Sequence, residues 1–406
     1  MNALDHTASE ILDLAGQLVR IPTQGGLDPL EPAIDRLTEW FTSNRVVSQV
    51  LRAPDHRPIG VLARVKSGAP GPHLCLDAPI DTAPAGPPEA WRRPPFEGAV
   101  EGGRLHGRGA ADCKMGVSVL CHLARAALGG GILAGGTLDI LLDGDEHTGG
   151  FAGVRAYVER DGNRPDFAAI AYPGNEAVVR GARGFWRGTV RVYGVGGHSG
   201  ARVGGWGGNA IGRAARFVES LRAVVLPREN DREFSFGPSL TVTQISGGTS
   251  FSQIPGHCDV GLDLRLTPSF GASDAERVVV QAMSGLDASD RTLRPSRLEP
   301  SESWPCYRLA ADDPWVLGLA RAASGVFGRD VPSVVCGPSN VGNYFHSHGV
   351  PATCGFGVGY ERIHAPDEAA DISTIRPVYD TYVEAVRRWS SAGAAAHSDR
   401  VAPRRA

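Results

Sequence analysis

Apolar residues recur at helical spacing near the start of the chain. Ile11, Leu12, Ala15, Leu18 and Val19 predict an amphipathic helix, capped by Asp5 or Thr7 and ended by Ile21-Pro22-Thr23. Ala33, Ile34, Leu37, Trp40 and Phe41 form a second helical stripe. Short apolar runs at 47–51, 60–65 and 74–76 then read as strands. A helix is predicted at 116–128, with Val117, Leu120, Cys121, Ala124 and Leu128 on one face. A strand at 137–142, a helix at 151–159 and a strand at 167–171 follow. Helices alternating with short apolar strands predict an α/β sheet.

The pattern changes at Gly184. Residues 185–193 alternate as a half-buried strand and run into the glycine-rich segment Gly194–Gly200. Asn209 precedes a helix to about residue 222, strands follow at 240–245 and 258–266, and a helix lies near 274–283. This β-α-β-β-α unit, 183–293, reads as an insertion. The α/β domain, 1–182 and 294–390, resumes with a helix near 314–327, a strand at 352–356 and a last helix at 373–389. The segment 391–406 is Ala, Ser and Arg without pattern, and is expected to be a disordered tail.

Composition narrows the classes. The 406 residues carry a net charge of -3, with no basic run or acidic tail that argues for nucleic acid. No apolar run is long enough to span a bilayer, and the polar start is unlike a signal peptide. Seven scattered cysteines with no CxxC pair read as reduced thiols, so a cytoplasmic protein is expected. Lys66 and Lys114 are the only lysines, which gives weight to Lys114 inside the stretch described next.

The candidate chemistry lies between Leu105 and Gly150. Asp112 falls in a loop just before a helix, and Glu146-His147 falls just past a strand. Open α/β sheets place their chemistry at the carboxyl ends of strands. Two carboxylates and an imidazole there read as a metal site with a general base, or as a buried ion pair beside a glycine-rich turn.

Ordered motifs make the chain resemble the co-catalytic zinc metallopeptidase family of acetylornithine deacetylase, succinyl-diaminopimelate desuccinylase, aminoacylase-1 and bacterial glutamate carboxypeptidase. They are Asp81 with Pro84, Gly107–Lys114, Asp145-Glu146, Gly149-Gly150, Gly194 with His198, Asn209-Ala210-Ile211, Asp263-Leu264-Arg265, and His364 with Glu368. The resemblance implies a zinc-peptidase-like catalytic domain, a mixed sheet flanked by helices, with an inserted α+β dimerisation or lid domain. It also implies a homodimer acting on a small-molecule amide or acyl-amino-acid substrate, with neither nucleic acid nor membrane as partner.

Three positions depart from the family. His-x-Asp becomes Pro79-Ile80-Asp81, a second glutamate becomes His147, and an acidic ligand becomes Tyr172. In family terms Asp112 bridges two metals, His147 and His364 complete one, and Pro79 and Tyr172 stand where the other is completed. Proline has no donor side chain, and a phenol must lose a proton with a pKa near 10. One zinc per chain, held by Asp112, His147 and His364, is therefore expected, against the alternative of no metal and a simple His147–Asp112 pair.

The resemblance further implies Glu146 as general base, Asp81 as an orienting carboxylate, and His198 as an oxyanion donor reaching across the dimer. Arg265 resembles the arginine that binds a substrate carboxylate, with an ordinary salt bridge as the alternative. Asn340 and Ser252 stand where the resemblance expects pocket residues, so an altered substrate pocket is expected; Tyr172 would donate a hydrogen bond to substrate, act as an acid, or fill space there. Asp77 or Glu176 is a candidate to replace a missing ligand. Three functions stay open: a single-zinc amidohydrolase, a metal-depleted relative repurposed for acyl transfer, cyclisation or rearrangement, and a non-catalytic binding protein.

Overall fold

The computed structural model describes residues 4–201 and 208–401. It divides into two compact units. The first comprises 1–181, 308–334 and 340–406; the second comprises 182–307 and 335–339.

A mixed sheet organises the first unit, in the order Ser48–Arg52, Pro58–Lys66, Thr137–Asp143, His73–Asp77, Phe167–Ile170, Ala352–Cys354. The last four strands are parallel; the first two are antiparallel neighbours on one edge. Strands buried on both faces read as apolar runs, and Thr137–Asp143 is buried at every residue after its first. Helix His6–Val19 starts at Asp5, whose carboxylate accepts the Ala8 amide at 3.0 Å. Helix Met115–Leu128 is buried nearly all round rather than along one stripe, and Leu128 is its exposed end. It packs against the first helix, the last helix and the sheet, so no side of it is left to water.

The expected 151–159 helix is a short turn, Ala152–Arg155, continued by a wider turn, Ala156–Arg160. The final helix starts at Ile375 and its backbone stays helical to Val401, past the point where the sequence pattern stops. Alanine-rich chain favours helix without needing an apolar face. The remainder of the expected tail, 402–406, lies outside the described residues.

A second, four-stranded antiparallel sheet was not legible in the sequence. Its order is Tyr360–Glu361, Ala369–Asp371, Arg104–His106, Ala99–Glu101. Ala369 pairs with His106, and the Gly107 amide donates to the Glu368 carbonyl at 3.0 Å. This short sheet joins the loop before Asp112 to the segment carrying His364. The two are 252 residues apart in the chain.

In the second unit the sheet runs Ser239–Ser246, His257–Leu266, Gly184–Tyr193, Arg297–Trp304, with helices Ala210–Arg222 and Ala272–Ala288 packed on it. Its core includes Trp186, Val190, Phe217, Leu264 and Val279. Strand Arg297–Trp304 hydrogen-bonds to Gly184–Tyr193, so this unit continues to Tyr307 instead of stopping at residue 293.

Candidate active site

The parallel strands of the first unit end at Asp77, Asp143, Ile170 and Cys354. Loops leaving three of these ends carry Asp81, Glu146-His147 and Tyr172. The Gly107–Lys114 loop brings Asp112. Glu368 fixes that loop: its Oε1 accepts the Ala111 and Asp112 amides at 3.1 Å each, while its Oε2 pairs with the buried Arg108. Lys114 donates to the Leu18 and Ile21 carbonyls at 2.9 and 2.6 Å, tying the same loop to the end of the first helix. Burial pulls its ammonium down to about 7. It supports the loop and does not touch the carboxylates of the site.

Asp112, His147 and His364 come together, with one donor atom of each inside 4.8 Å of the others. His364 Nε2 lies 2.9 Å from Asp112 Oδ2, and His147 Nε2 lies 3.7 Å from the same oxygen. The histidine rings are 5.3 Å apart. Asp112 and His147 are buried, while the His364 side chain is 56% exposed. His364 is held at φ 61, a left-handed conformation that costs a non-glycine residue about 1 kcal/mol or more.

Burial raises the Asp112 pKa, but hydrogen bonding and charge from His147 and His364 outweigh it and hold the carboxyl well below its usual range. Burial lowers the His147 pKa, but the Glu146 charge and the Asp112 and Asp81 carboxylates outweigh it, so the ring is pushed well up. Asp112 Oδ1 and both His147 ring nitrogens are buried without a hydrogen-bond partner. Leaving such atoms unsatisfied costs roughly 1–3 kcal/mol each. Two imidazoles and a carboxylate with unspent lone pairs fit one divalent cation.

Glu146 sits beside this cluster, 11% exposed, with Oε2 at 3.3 Å from His147 Nδ1. The Tyr172 hydroxyl donates to its Oε1. Burial raises the Glu146 pKa, and the Asp81 and Asp112 charges add to this against the opposing His147 charge. Asp81 is fully enclosed and accepts the Glu146 and His147 amides at 3.1 and 3.0 Å. A cavity of about 330 Å³, lined in part by Gln24, Asp28, Arg57, Asp81 and Asp145, opens on the same side.

The remaining expected site residues are not among the three donors. Asn340 caps helix Val341–Ser347, its side chain accepting the Gly342 amide at 2.9 Å. Glu176 is a surface residue paired with Arg329, and Asp77 is buried against Asp143; neither belongs to the three-donor group. His198, Ser252 and Arg265 belong to the second unit. The exposed His198 accepts the Gly200 amide on Nδ1 at 3.0 Å, which leaves the proton on Nε2. Ser252 neighbours it, its carbonyl accepting the Ser199 amide at 2.9 Å. Arg265 already holds a carboxylate, Asp263, at 2.8 Å, and donates to Ser339 at 3.1 Å, which is the ordinary salt-bridge alternative.

Sequence reasoning missed the buried carboxyl pair, Asp77 with Asp143. Both stand at the ends of apolar strands, where two acids facing one core were a visible but unread signal.

The fold and this site define a metallopeptidase-like hydrolase class. The sequence profile of Peptidase family M20/M25/M40 matches residues 75–388, so the chain belongs to that family. A succinyl-diaminopimelate desuccinylase from Xanthobacter autotrophicus is 28% identical over 395 residues, covering 93% of this chain and 99% of the relative. Among solved structures, an M20 family metallo-carboxypeptidase from Sulfolobus solfataricus superimposes with a TM-score of 0.76 at 16% identity, over 96% of this chain and 100% of the other. Human carnosine dipeptidase 1 also gives 0.76, at 17% identity, over 95% and 97%. These relatives are amide-bond metallohydrolases, and the structural likeness supports the fold expected from the motifs.

Proposed function

We infer that this protein is a single-metal amidohydrolase acting on an N-acyl amino acid or a small peptide-like amide. The carrying observation is the three-donor group Asp112, His147 and His364 with Glu146 beside it. The names of its relatives, a desuccinylase and a dipeptidase, support the substrate class. Asp112, His147 and His364 would hold a divalent ion, which would supply Lewis acidity and lower the pKa of a bound water towards neutral.

Glu146 takes a proton from the attacking water and returns it to the leaving nitrogen. Its raised pKa suits it to hold that proton between the two events. The Tyr172 hydroxyl fixes one of its oxygens, leaving Oε2 for transfer. His198, with its proton on Nε2, is the oxyanion donor that the resemblance expects to reach across the homodimer. Because Arg265 is committed to Asp263, no carboxylate-binding role is assigned to it. The reading carries the family's homodimer, which light scattering checks.

Elemental analysis of purified protein tests the proposal. About one zinc per chain, with hydrolysis of an N-acyl-amino-acid panel lost on chelation, is expected. Metal-free protein with chelator-resistant turnover favours the repurposed reading instead. One observation gives that second reading its basis: the Tyr172 hydroxyl, where the resemblance expects an acidic metal ligand, is bonded to Glu146 instead.

A further inference from the structure

Resting on the single-cation reading above, we propose that Asp81 is the positioning residue of His147, holding its Nδ1–H so that Nε2 faces the cation. Two residues before it stands Pro79, which offers no ring to orient.

Two backbone amides pin the Asp81 carboxylate, at 3.1 and 3.0 Å. The second of these comes from His147 itself. From there Asp81 Oδ2 lies 3.6 Å from His147 Nδ1, while His147 Nε2 faces Asp112 on the ring's other side, at 3.7 Å. The ring is only 5% exposed, so no bulk water stands in for a missing acceptor. A histidine that gives one nitrogen to a cation needs an acceptor for the proton on the other. Glu146 Oε2 also approaches Nδ1, at 3.3 Å, but the general base must exchange protons in each cycle, whereas Asp81 is fixed by its amides.

Zinc titration against a competing chelating dye provides the test. Wild type should bind one equivalent, and Asp81→Asn should weaken binding roughly 10–100-fold. In a His147→Glu background, which has no ring to orient, Asp81→Asn should leave the affinity unchanged. An equal loss in both backgrounds overturns the proposal, because Asp81 would then act only on the 146–147 backbone. Nitrogen-15 histidine spectra of zinc-loaded wild type need no variant to fold. A protonated Nδ1 and a coordinated Nε2 on His147 support the proposal; the reverse tautomer overturns it. Wild type that binds no zinc sinks the single-cation reading itself, and this inference with it.

Discussion

Asp139 and Asp143 stand four residues apart on one strand, so they point to the same face of the sheet. Both are fully buried, yet their surroundings are opposite. Asp139 receives Arg64 through two bonds of 2.6 Å, the Tyr157 hydroxyl at 2.7 Å and the His73 ring at 2.7 Å. Burial raises its pKa, but Arg64 and His73 outweigh this and hold it low. Asp143, at the carboxyl end, receives no N–H or hydroxyl donor. It faces Asp77, and burial with the charges of Asp77, Asp81 and Glu146 pushes its pKa well up. Asp77 is raised in the same way, by burial first and then by the charges of Glu146 and Asp81. One end of the sheet satisfies its buried charge; the other accumulates acid where the candidate chemistry lies. Strongly perturbed carboxyls of this kind cluster at functional sites.

Four substitutions test this contrast. Glu146→Gln should lower kcat/KM by roughly 10²–10⁴-fold, while thermal unfolding shows a midpoint no lower than wild type, since burial disfavours the charge removed. Asp139→Asn should do the reverse, costing about 3 kcal/mol in urea unfolding at neutral pH and leaving zinc affinity intact. Because the folded Asp139 pKa is depressed, its contribution is present above the unfolded carboxylate range near pH 4. It is lost as pH falls through the folded value, so the wild-type advantage should shrink in acid.

Tyr172→Phe should lower kcat roughly 10-fold by releasing Glu146, with zinc stoichiometry unchanged; an unchanged kcat would remove Tyr172 from the mechanism. Smallest, Asp143→Asn should stabilise the protein by about 1 kcal/mol at pH 8. The folded Asp143 pKa is raised, so the wild-type penalty is absent below the unfolded pKa and grows as pH rises through the folded one. The gain should therefore vanish near pH 3. A loss of stability at pH 8 would mean that the pair is a structural asset, and that the contrast between the two ends is false.

Much of the site was legible before any coordinates. Asp112, Glu146, His147 and His364 stand in ordered motifs whose residue types already imply ligands and a base, and the three donors do converge. The parallel strands were visible as apolar runs because both of their faces are buried. The small sheet linking His106 to Ala369 was not, since strands of two or three residues carry no readable period. The boundary of the second unit moved for a related reason: Arg297–Trp304 includes a proline and three charged residues, and only its pairing partner makes it a strand. Arg265 shows the opposite limit. Its motif was clear, but the neighbour Asp263, two residues earlier on the strand, takes its guanidinium.

The sequence alone determined the family, the alternation of helix and strand, and the identity of the donors, because these depend on residue type and order. Tertiary structure decided which groups meet. Asp81 lies against His147 rather than an upstream histidine, Tyr172 holds Glu146, and one of two acids on a single strand is satisfied while the other is not. Those outcomes depend on distances of a few ångströms between residues far apart in the chain. Hydrogen bonding and charge interaction change steeply over that range, while local sequence carries no record of it.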